Sequence, residues 1–414
     1  MPKASGSQGP EGLLSPFSVP GYWRLFAGHA NCWGFAAVEW IATGWLVLEL
    51  TGSPFHVALI NFYRFAPWLL VGLVAGPLIQ RFGRKPIVLA CQVSYICSYG
   101  TLALLVLTGQ PAYWQIALTA AVGTGTMALD FTTRRTMLPA LIGRGRTVDA
   151  MLLDTLVQSI SFTAGPFVGG WLIEVIGIGK LYALVAVVPL LGLILYARLP
   201  SLPSPTPAQE STVRRILVGL RYVRGNRVIV GIILITIAMN VLTFSSISLM
   251  PVFARDILGQ GPVGLGMLSA ATGLGALLGM PLINLMRRRL NNTFLFAASS
   301  VLMSTLLVLF AFSTDFSFSI AVLIIAGIGQ AGFSALQSSV VLIEASDEMR
   351  DRAMGTVLLA IGTGPFGHLI LGAMAAAWGA PLAVALCCGI AVLAIVSLTL
   401  ATPEYRSWHR DLNG

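Results

Sequence analysis

The sequence predicts an all-α integral membrane protein with twelve transmembrane helices, arranged as two six-helix pseudo-repeats. Three observations predict this fold class: the apolar composition, the number of bilayer-length segments, and a basic turn that occurs twice. Of the 414 residues, 56% are hydrophobic and only 10% are charged, with 44 glycines. A soluble chain of this length cannot hide so much apolar surface, so the composition indicates a membrane protein.

Twelve segments are long enough to cross a bilayer, which takes about 20 apolar residues in a helix. Six fall within residues 22–198, the predicted N-terminal bundle, and six within residues 228–401, the predicted C-terminal bundle. The predicted spans lie near residues 25–49, 55–79, 87–108, 112–132, 151–174, 179–198, 228–251, 262–286, 293–312, 316–342, 353–377 and 380–401.

The two bundles are joined by residues 199–227, which are first polar and proline-rich and then basic. Residues 214–224 alternate basic and apolar side chains at roughly helical spacing, which is typical of a helix lying on a membrane surface. Residues 1–21 and 402–414 are expected to form short tails. These boundaries predict a cytoplasmic linker with one amphipathic helix between the bundles.

The distribution of positive charge predicts the orientation. With both chain ends placed in the cytoplasm, all but three of the 25 lysines and arginines fall on the cytoplasmic side. Lys180 and Arg255 fall outside, and Arg64 lies within a span. Cytoplasmic loops carry an excess of Lys and Arg, so we expect a multi-pass protein of the plasma (cell inner) membrane. The net charge of +9 then reflects topology rather than binding to nucleic acid.

A short basic turn between the second and third spans has a second copy in the other half. Pro77-Leu78-Ile79 of the first copy matches Pro281-Leu282-Ile283 of the second, and Arg84-Lys85 matches Arg288-Arg289. Internal repeats of helix bundles are typical of secondary transporters. The repeat therefore favours transport over the general alternative of a positively charged loop in some other membrane protein.

The turn at 76–86 resembles the signature between the second and third helices of the major facilitator superfamily. Other stretches resemble the branch of that superfamily that includes enterobactin exporters and macrolide-efflux-like proteins. The stretches are Trp45–Pro54, Thr133–Pro139, Gly165–Gly170 and Arg350–Gly355. The resemblance covers nearly the whole chain but is not specific for a substrate. It implies the major facilitator fold and alternating access, usually in a proton-driven exporter.

The turn departs from the superfamily pattern at Gln80, where the pattern has an acidic residue that helps to latch the cytoplasmic gate. The latch is expected to be weaker here, or to use Asp130 paired with Arg81 or Arg84, while Glu344 faces the second arginine run. The alternative is that these are solvated loop charges that contribute little. The inner-gate candidates are Gly76, Gln80, Arg81, Gly83, Arg84, Lys85, Asp130, Arg287, Arg288, Arg289 and Glu344.

Glu39 is the clearest chemical signal, because it lies within the first span away from any loop. Burial disfavours the charged form of a carboxylate, so such a group can exchange a proton during transport. Glu39 and Arg64 each lie about 18 Å along a helix from the turn between them, which predicts that they share one depth. Protonation of Glu39 can then release Arg64, although a static ion pair is the alternative. His368 is a further proton-site candidate.

Polar groups within spans tend to face the bundle interior or a cavity. For each one, interhelical hydrogen bonding is at least as good an explanation as contact with a ligand. The candidates for a substrate cavity, with two aromatic neighbours, are Asn31, Asn61, Tyr63, Asn240, Phe244, Gln330, Phe333 and Gln337.

The fifth span contains a predicted helix-bend motif of Gly165, Pro166, Gly169 and Gly170. Proline frees a backbone carbonyl and glycines allow close helix packing. The motif resembles the fifth-helix motif of superfamily antiporters, which favours export.

Three functions compete at this stage. The first is a proton-coupled exporter of a small amphiphilic compound such as a drug, macrolide or siderophore. The second is an importer or lipid transporter of the same fold, and the third is a non-transporting receptor or an enzyme. The sequence shows no nucleophile–base pair, metal-ligand cluster or phosphate-binding loop. We therefore expect no enzyme activity and no metal or cofactor, only a proton gradient, a small-molecule substrate, the lipid bilayer and a monomeric protein.

Overall fold

The structure is a computed structural model, and it describes residues 14–109, 111–200, 212–346 and 348–406. The regular elements in these ranges are helices. The expected tails lie outside the described residues before residue 14 and after residue 406, as does the proline-rich part of the linker.

The N-terminal half consists of six long helices joined by short turns. Their bounds are α1 Tyr22–Thr51, α2 Pro54–Phe82, α3 Arg84–Leu107, α4 Tyr113–Ile142, α5 Thr147–Ile176 and α6 Ile178–Ala197. Gly83 alone separates α2 from α3, and its φ of +83° is a conformation that other residues rarely adopt. The glycine therefore permits the sharp reversal that the basic turn requires.

The second half contains a linker helix followed by six more spans. Their bounds are α7 Thr212–Val223, α8 Arg227–Ile257, α9 Pro262–Met286, α10 Asn292–Ala311, α11 Phe316–Glu344, α12a Arg350–Ile361, α12b Gly364–Trp378 and α13 Ala380–Ala401. The predicted helix at 214–224 is thus present as α7. It packs against α12a, where a Cβ added to Gly219 would lie 2.6 Å from the Arg352 carbonyl oxygen.

Among the described residues, nine helices are long and apolar enough to cross a membrane by length and composition. The three other long helices are α1, α2 and α4. These three carry the buried charged side chains Glu39, Arg64, Asp130 and Arg134, and each is 29 or 30 residues long, enough to cross a bilayer. Counting α8 and α12 as single spans, the predicted all-α fold with twelve bilayer-length helices is confirmed.

The predicted span at 228–251 is longer than expected and is not a regular α-helix. Within α8, π-helical turns at Met239–Thr243 and Phe253–Ile257 flank a 3-10 stretch at Phe244–Leu249. The Ser245 hydroxyl donates to the Val241 carbonyl at 2.8 Å. Such back-bonding competes with the helical hydrogen-bond ladder and bends helices. Hydropathy alone could not reveal this interruption.

Asn226 caps the start of α8. Its side-chain oxygen accepts hydrogen bonds from the backbone N–H groups of Val228 and Ile229 at 2.9 and 3.1 Å. We expect Asn226→Ala to destabilise the protein by about 1 kcal/mol, because it leaves two N–H groups without this acceptor. Thermal unfolding in detergent would check this, with Asn226→Asp as a control that retains the acceptor. An unchanged unfolding temperature for the alanine variant would contradict the prediction.

Helix packing separates the chain into two halves that meet along two pairs of helices. Within the first half, α1 packs against α5 and α6, α2 against α4, and α3 against α4 and α6. Within the second half, α9 and α10 pack against α11, and α10 also packs against α13. Between the halves, α5 runs along α9 and α2 along α12b. The space between the halves is therefore bordered by helices from both.

The helix ends define two faces. The face with the Gly83 turn, the linker helix and the arginine run at 287–289 is called the basic face, and the other end is called the opposite face. Close contacts join the halves towards the opposite face. A Cβ added to Gly170 of α5 would lie 2.2 Å from the carbonyl oxygen of Pro262 in α9. Near the basic face, a Cβ at Gly76 of α2 would meet no described atom within 4 Å.

Candidate functional site

Two adjoining cavities lie between the halves. The first has a volume of about 290 Å³, and residues of both halves line it, among them Trp40, Asn61, Arg64, Phe162, Ser248 and Gln330. The second has a volume of about 330 Å³, and its lining includes Trp40, Asn61, Phe65, Asn240, Phe244 and His368. The shared lining residues show that the two volumes are neighbouring parts of one region. Its size and mostly apolar wall are those of a small-molecule site.

The structure brings Glu39 and Arg64 together, at the shared depth that counting along the helices predicted. Arg64 Nη2 lies 2.8 Å from Glu39 Oε1, with the side chains 3% and 7% exposed. The Thr43 hydroxyl donates to the same carboxylate oxygen and also contacts the Tyr182 hydroxyl at 2.9 Å. The pair is therefore held by α1, α2 and α6 of one half. Its role in proton coupling stays a prediction.

Arg64 borders the first cavity, whereas Glu39 is not among the lining residues. Arg64 lies over the indole ring of Trp40, 4.9 Å from its centre, and its buried Nε has no described hydrogen-bond partner. A molecule bound in the first cavity would thus lie against Arg64, which in turn contacts Glu39.

His368 of α12b lines the second cavity at a contact between the halves. Its ring stacks on Phe65 of α2, with ring centres 5.5 Å apart and planes inclined by 10°. Its Nδ1 lies 3.3 Å from the Ser248 hydroxyl of α8. The structure therefore places this candidate where relative movement of the halves would alter its contacts.

Four of the predicted cavity residues line these cavities: Asn61, Asn240, Phe244 and Gln330. The other four, Asn31, Tyr63, Phe333 and Gln337, are not among the residues that line these two cavities. Asn31 donates to the Val188 carbonyl at 3.2 Å and Gln337 donates to the Thr236 hydroxyl at 2.8 Å. Both amides are thus used for interhelical hydrogen bonding, which was the stated alternative.

The two aromatic candidates outside the cavities are used for packing. Phe333 lies between Phe244 and Phe296, with ring centres 5.3 and 5.5 Å away. Tyr63 packs against the hydrophobic core beside Phe62. Helix rotation decides whether such rings face a cavity or the core.

In this structure Asp130 pairs with Arg134 rather than with Arg81 or Arg84. Asp130 is fully buried, and its Oδ2 lies 2.9 Å from Nη2 of Arg134, one turn later in the same helix. Arg84 Nε donates to the Thr136 hydroxyl at 3.3 Å. An arginine at i+4 on the same helix face lies closer to the carboxylate than any residue in the turn.

The basic turn itself is held by backbone contacts. Lys85 Nζ donates to the Leu199 carbonyl at 2.6 Å, which ties the start of α3 to the end of α6. Arg81 is exposed and lies over the ring of Phe82, 5.2 Å from its centre. Gln80 is half-buried.

The predicted pairing of Glu344 with Arg287, Arg288 and Arg289 is not found among the described residues. Glu344 is exposed at the end of α11 and lines a polar groove with Asn226 and Arg227. Glu344, the last residue of α11, therefore faces the start of α8.

The glycines of the helix-bend motif face two different neighbours. Gly165 and Gly169 face α1, where a Cβ added to Gly165 would lie 2.4 Å from the Ala37 Cβ. Gly170 instead faces α9 of the other half. The helix α5 continues through Pro166 from Thr147 to Ile176. The motif thus allows close packing on both sides of one continuous helix.

Several residues at the site were not singled out from the sequence. Thr43 was detectable in principle, because it follows Glu39 by one helical turn. Tyr182 and Phe162 carried no signal, since each reaches the site from a helix distant in sequence. His29 and Asp154 form a second buried pair, described below. Within the described residues, no group of three or more His, Cys, Asp or Glu side chains is placed to hold a metal ion.

Two six-helix halves around a shared central cavity are the architecture of major facilitator superfamily transporters, and solved structures of such transporters share this fold. The nucleoside transporter NupG is 13% identical with a TM-score of 0.70, covering 91% of this chain and 98% of its own. A D-xylose–proton symporter is 14% identical with a TM-score of 0.69, covering 92% of this chain and 97% of its own. These similarities show the fold.

The chain belongs to the transmembrane secretion effector family of this superfamily, whose model matches residues 14–412. The chain is 24% identical over 370 residues to the multidrug efflux pump Tap of Mycolicibacterium fortuitum, covering 86% of this chain and 88% of that protein. It is 29% identical over 214 residues to the enterobactin exporter EntS of Shigella boydii, covering 51% of this chain and 50% of that protein. The resemblance to the efflux branch is thereby confirmed.

Proposed function

We propose that the protein is a proton-coupled exporter that moves a small amphiphilic compound such as a drug, macrolide or siderophore by alternating access. The buried ion pair of Glu39 and Arg64 at the wall of the cavity carries this proposal. An ionisable pair within the membrane is costly to keep and commonly marks an ion or substrate pathway. The efflux functions of Tap and EntS support the direction of transport.

The cavity supports a small, mainly apolar cargo. Trp40 and Phe162 provide aromatic surface in the first cavity, and Asn61 and Gln330 provide amide hydrogen-bonding groups. Apolar walls with a few convergent polar groups are typical of small-molecule sites. Cargo binding between the halves would then follow their relative movement.

The position of Arg64 determines the sign of coupling. When Glu39 takes up a proton, the guanidinium beside the cavity loses its counter-charge. A cationic cargo is then repelled by about 4 kcal/mol at a separation of 4 Å and an effective dielectric constant of 20. A proton and a cationic cargo therefore exclude each other, and this exclusion produces antiport.

The same geometry gives a second candidate, the import of an anionic compound. An anion that binds Arg64 competes with Glu39 and favours its protonation, so anion and proton bind together. That linkage produces symport. The observation that favours it is again that Arg64 borders the first cavity and contacts Glu39.

The remaining parts of the proposal follow from the charge distribution and the fold. We place the protein in the plasma (cell inner) membrane with the basic face and both termini in the cytoplasm, since basic loops are retained there. It would act as a monomer in the lipid bilayer on a small-molecule substrate, without nucleic acid, and the proton gradient would replace a cofactor or metal.

Transport in proteoliposomes tests the proposal. A macrolide with an amine, a lipophilic cation dye and a catechol siderophore would be offered under an imposed proton gradient, with protein-free vesicles as the control. We expect the cationic compounds to move against the proton flow and to bind more weakly at lower pH. Anion uptake along the proton gradient would favour the second candidate. Movement of no compound above the control would contradict both.

A further inference from the structure

A second set of buried ionisable groups lies nearer the basic face and plays no part in the coupling proposed above. His29 of α1 and Asp154 of α5 meet there, with His29 Nδ1 3.0 Å from Asp154 Oδ1. Their side chains are 4% and 10% exposed. Each lies seven residues, or about 10 Å, from the basic-face end of its helix. Ionisable side chains at such depth are functional candidates.

Hydrogen bonding fixes the protonation of His29. The indole N–H of Trp33 donates to His29 Nε2. An indole N–H can only donate, so Nε2 is the acceptor and Nδ1 carries the ring proton. The Nδ1–H then donates to Asp154, and the imidazole is neutral. A second proton on His29 would set two donors against each other, so the carboxylate of Asp154 is the group open to an added proton.

A small cavity gives Asp154 a polar neighbour. The cavity has a volume of about 10 Å³, which is about the smallest that can hold one water molecule. Its lining includes Tyr22, His29, Arg134 and Asp154. Arg134 is 2% exposed, and its Nε and Nη1 have no described hydrogen-bond partner. Arg134 and Asp154 line this cavity together, so a single water molecule held there would have polar neighbours.

Asp154 is not the only buried carboxylate in this region. Arg134, which lines the small cavity together with Asp154, already pairs with Asp130 at 2.9 Å. Burying a carboxylate without a full counter-charge is costly. The titratable and charged groups around the pair and Arg134 are Tyr22, Cys32, Tyr95, Asp130, Arg135 and Tyr196. Arg135 is exposed over the Phe131 ring, where water screens its charge.

Trp33 connects this cluster to the cargo cavity. Its ring centre lies 5.4 Å from that of Phe162, which lines the first cavity, and 5.9 Å from that of Phe131. The hydrogen bond to His29 fixes the indole. A change at His29 and Asp154 would therefore reach the cavity wall through two packed rings.

We propose that Asp154 is a second proton-binding residue, positioned by His29, which exchanges protons with the basic-face side of the membrane and affects the cargo cavity through Trp33 and Phe162. The transport role rests on the proposed proton-coupled function. In the proton step, hydronium in water at the basic face gives its proton to the Asp154 oxygen that does not bond His29, leaving water. The return step releases that proton to the same side.

Infrared difference spectroscopy of the full-length protein in vesicles tests the proton site without any cargo. We expect mild acidification to produce a carbonyl band of a protonated carboxylic acid that Asp154→Asn lacks. Asp149→Asn is the matched control on the same helix, since Asp149 only accepts from the Ser15 hydroxyl near the start of α5. The control should retain the band, and Asp154→Glu should shift it. A spectrum unaltered by Asp154→Asn would overturn the proposal.

Two variants of His29 test its positioning role. His29→Gln keeps a donor for Asp154, whereas His29→Leu removes it. Because His29→Leu removes the hydrogen-bond donor to the Asp154 carboxyl group, we expect the carbonyl band of the leucine variant to differ from the native band. The glutamine variant should behave nearly as the native protein. Equal spectra for the leucine variant and the native protein would contradict the role of His29.

Transport separates this inference from the proposed function. In vesicles, Asp154→Asn should remove the response of transport to pH on the basic-face side while cargo binding remains. A retained response would refute the transport role of Asp154. If the native protein shows the Asp154 band but no proton-driven transport, the proposed function fails and the proton site stands.

Discussion

Replacement of Glu39 by glutamine is expected to reduce gradient-driven transport to the level of protein-free vesicles while cargo still binds. Glutamine preserves the size of the side chain and an oxygen that accepts from Arg64 and Thr43, but it cannot exchange a proton. Proton binding would then no longer alter the cavity. Transport assays with an imposed proton gradient, together with equilibrium cargo binding, would measure both quantities.

Glu49→Gln is the matched control for this experiment. Glu49 lies on the same helix, is exposed, and accepts a hydrogen bond from the Trp45 indole N–H at 2.6 Å. Because the ion pair with Arg64 is made by Glu39 and not by Glu49, replacement of Glu49 should leave driven transport near the native level. Native-level transport in the Glu39 variant would exclude the carboxylate as the coupling group.

Stability measurements distinguish coupling from a static ion pair. Removing one partner of a buried pair costs about 3–5 kcal/mol, and glutamine at Glu39 should cost less because it still accepts a hydrogen bond. Arg64→Gln leaves a buried carboxylate that can take up a proton, so that variant should gain stability as the pH falls. The double variant should recover stability without recovering transport. Recovery of both would favour the static pair.

The sequence predicted well how deep Glu39 and Arg64 lie along their helices, but it predicted poorly which way side chains point around a helix. Glu39 and Arg64 lie on consecutive antiparallel helices joined by a short turn, so counting residues from Gly52 placed them level. The same counting cannot tell which way a side chain points around the helix. Asp130 shows the limit, since its position suggested a partner in the basic turn but Arg134 lies one turn away on its own helix.

Contacts between distant helices were beyond what the sequence could provide. Nothing near His29 in the chain indicates Asp154, because α1 and α5 meet only in the folded bundle. Asn31 and Asn61 are equally polar residues within spans, yet one bonds to a neighbouring helix and the other lines the cavity. Their position within apolar spans indicates that such residues lie in the interior of the bundle. Helix packing determines whether each one bonds to a neighbouring helix or lines the cavity.

The second large effect is expected from Gly170→Leu, which should hold the halves apart at the opposite face. A Cβ at this position would lie 2.2 Å from the Pro262 carbonyl oxygen, so a leucine can fit only if α5 and α9 separate. Overpacking of this kind costs about 1–3 kcal/mol, which shifts the population of closed molecules roughly fivefold to 150-fold. Transport should fall by a similar factor, because alternating access needs both gates to close.

Distances between spin labels would check this displacement directly. Labels on cysteines at Leu50 and Asp256, both exposed near the opposite face, report the separation of α1 and α8 in a background without the exposed Cys97. Gly170→Leu should lengthen the distance between the labels. Gly34→Leu is the control, since a Cβ at Gly34 meets no described atom within 4 Å. If both variants keep the native distance while Gly170→Leu loses transport, the glycine acts through something other than closure of the opposite face.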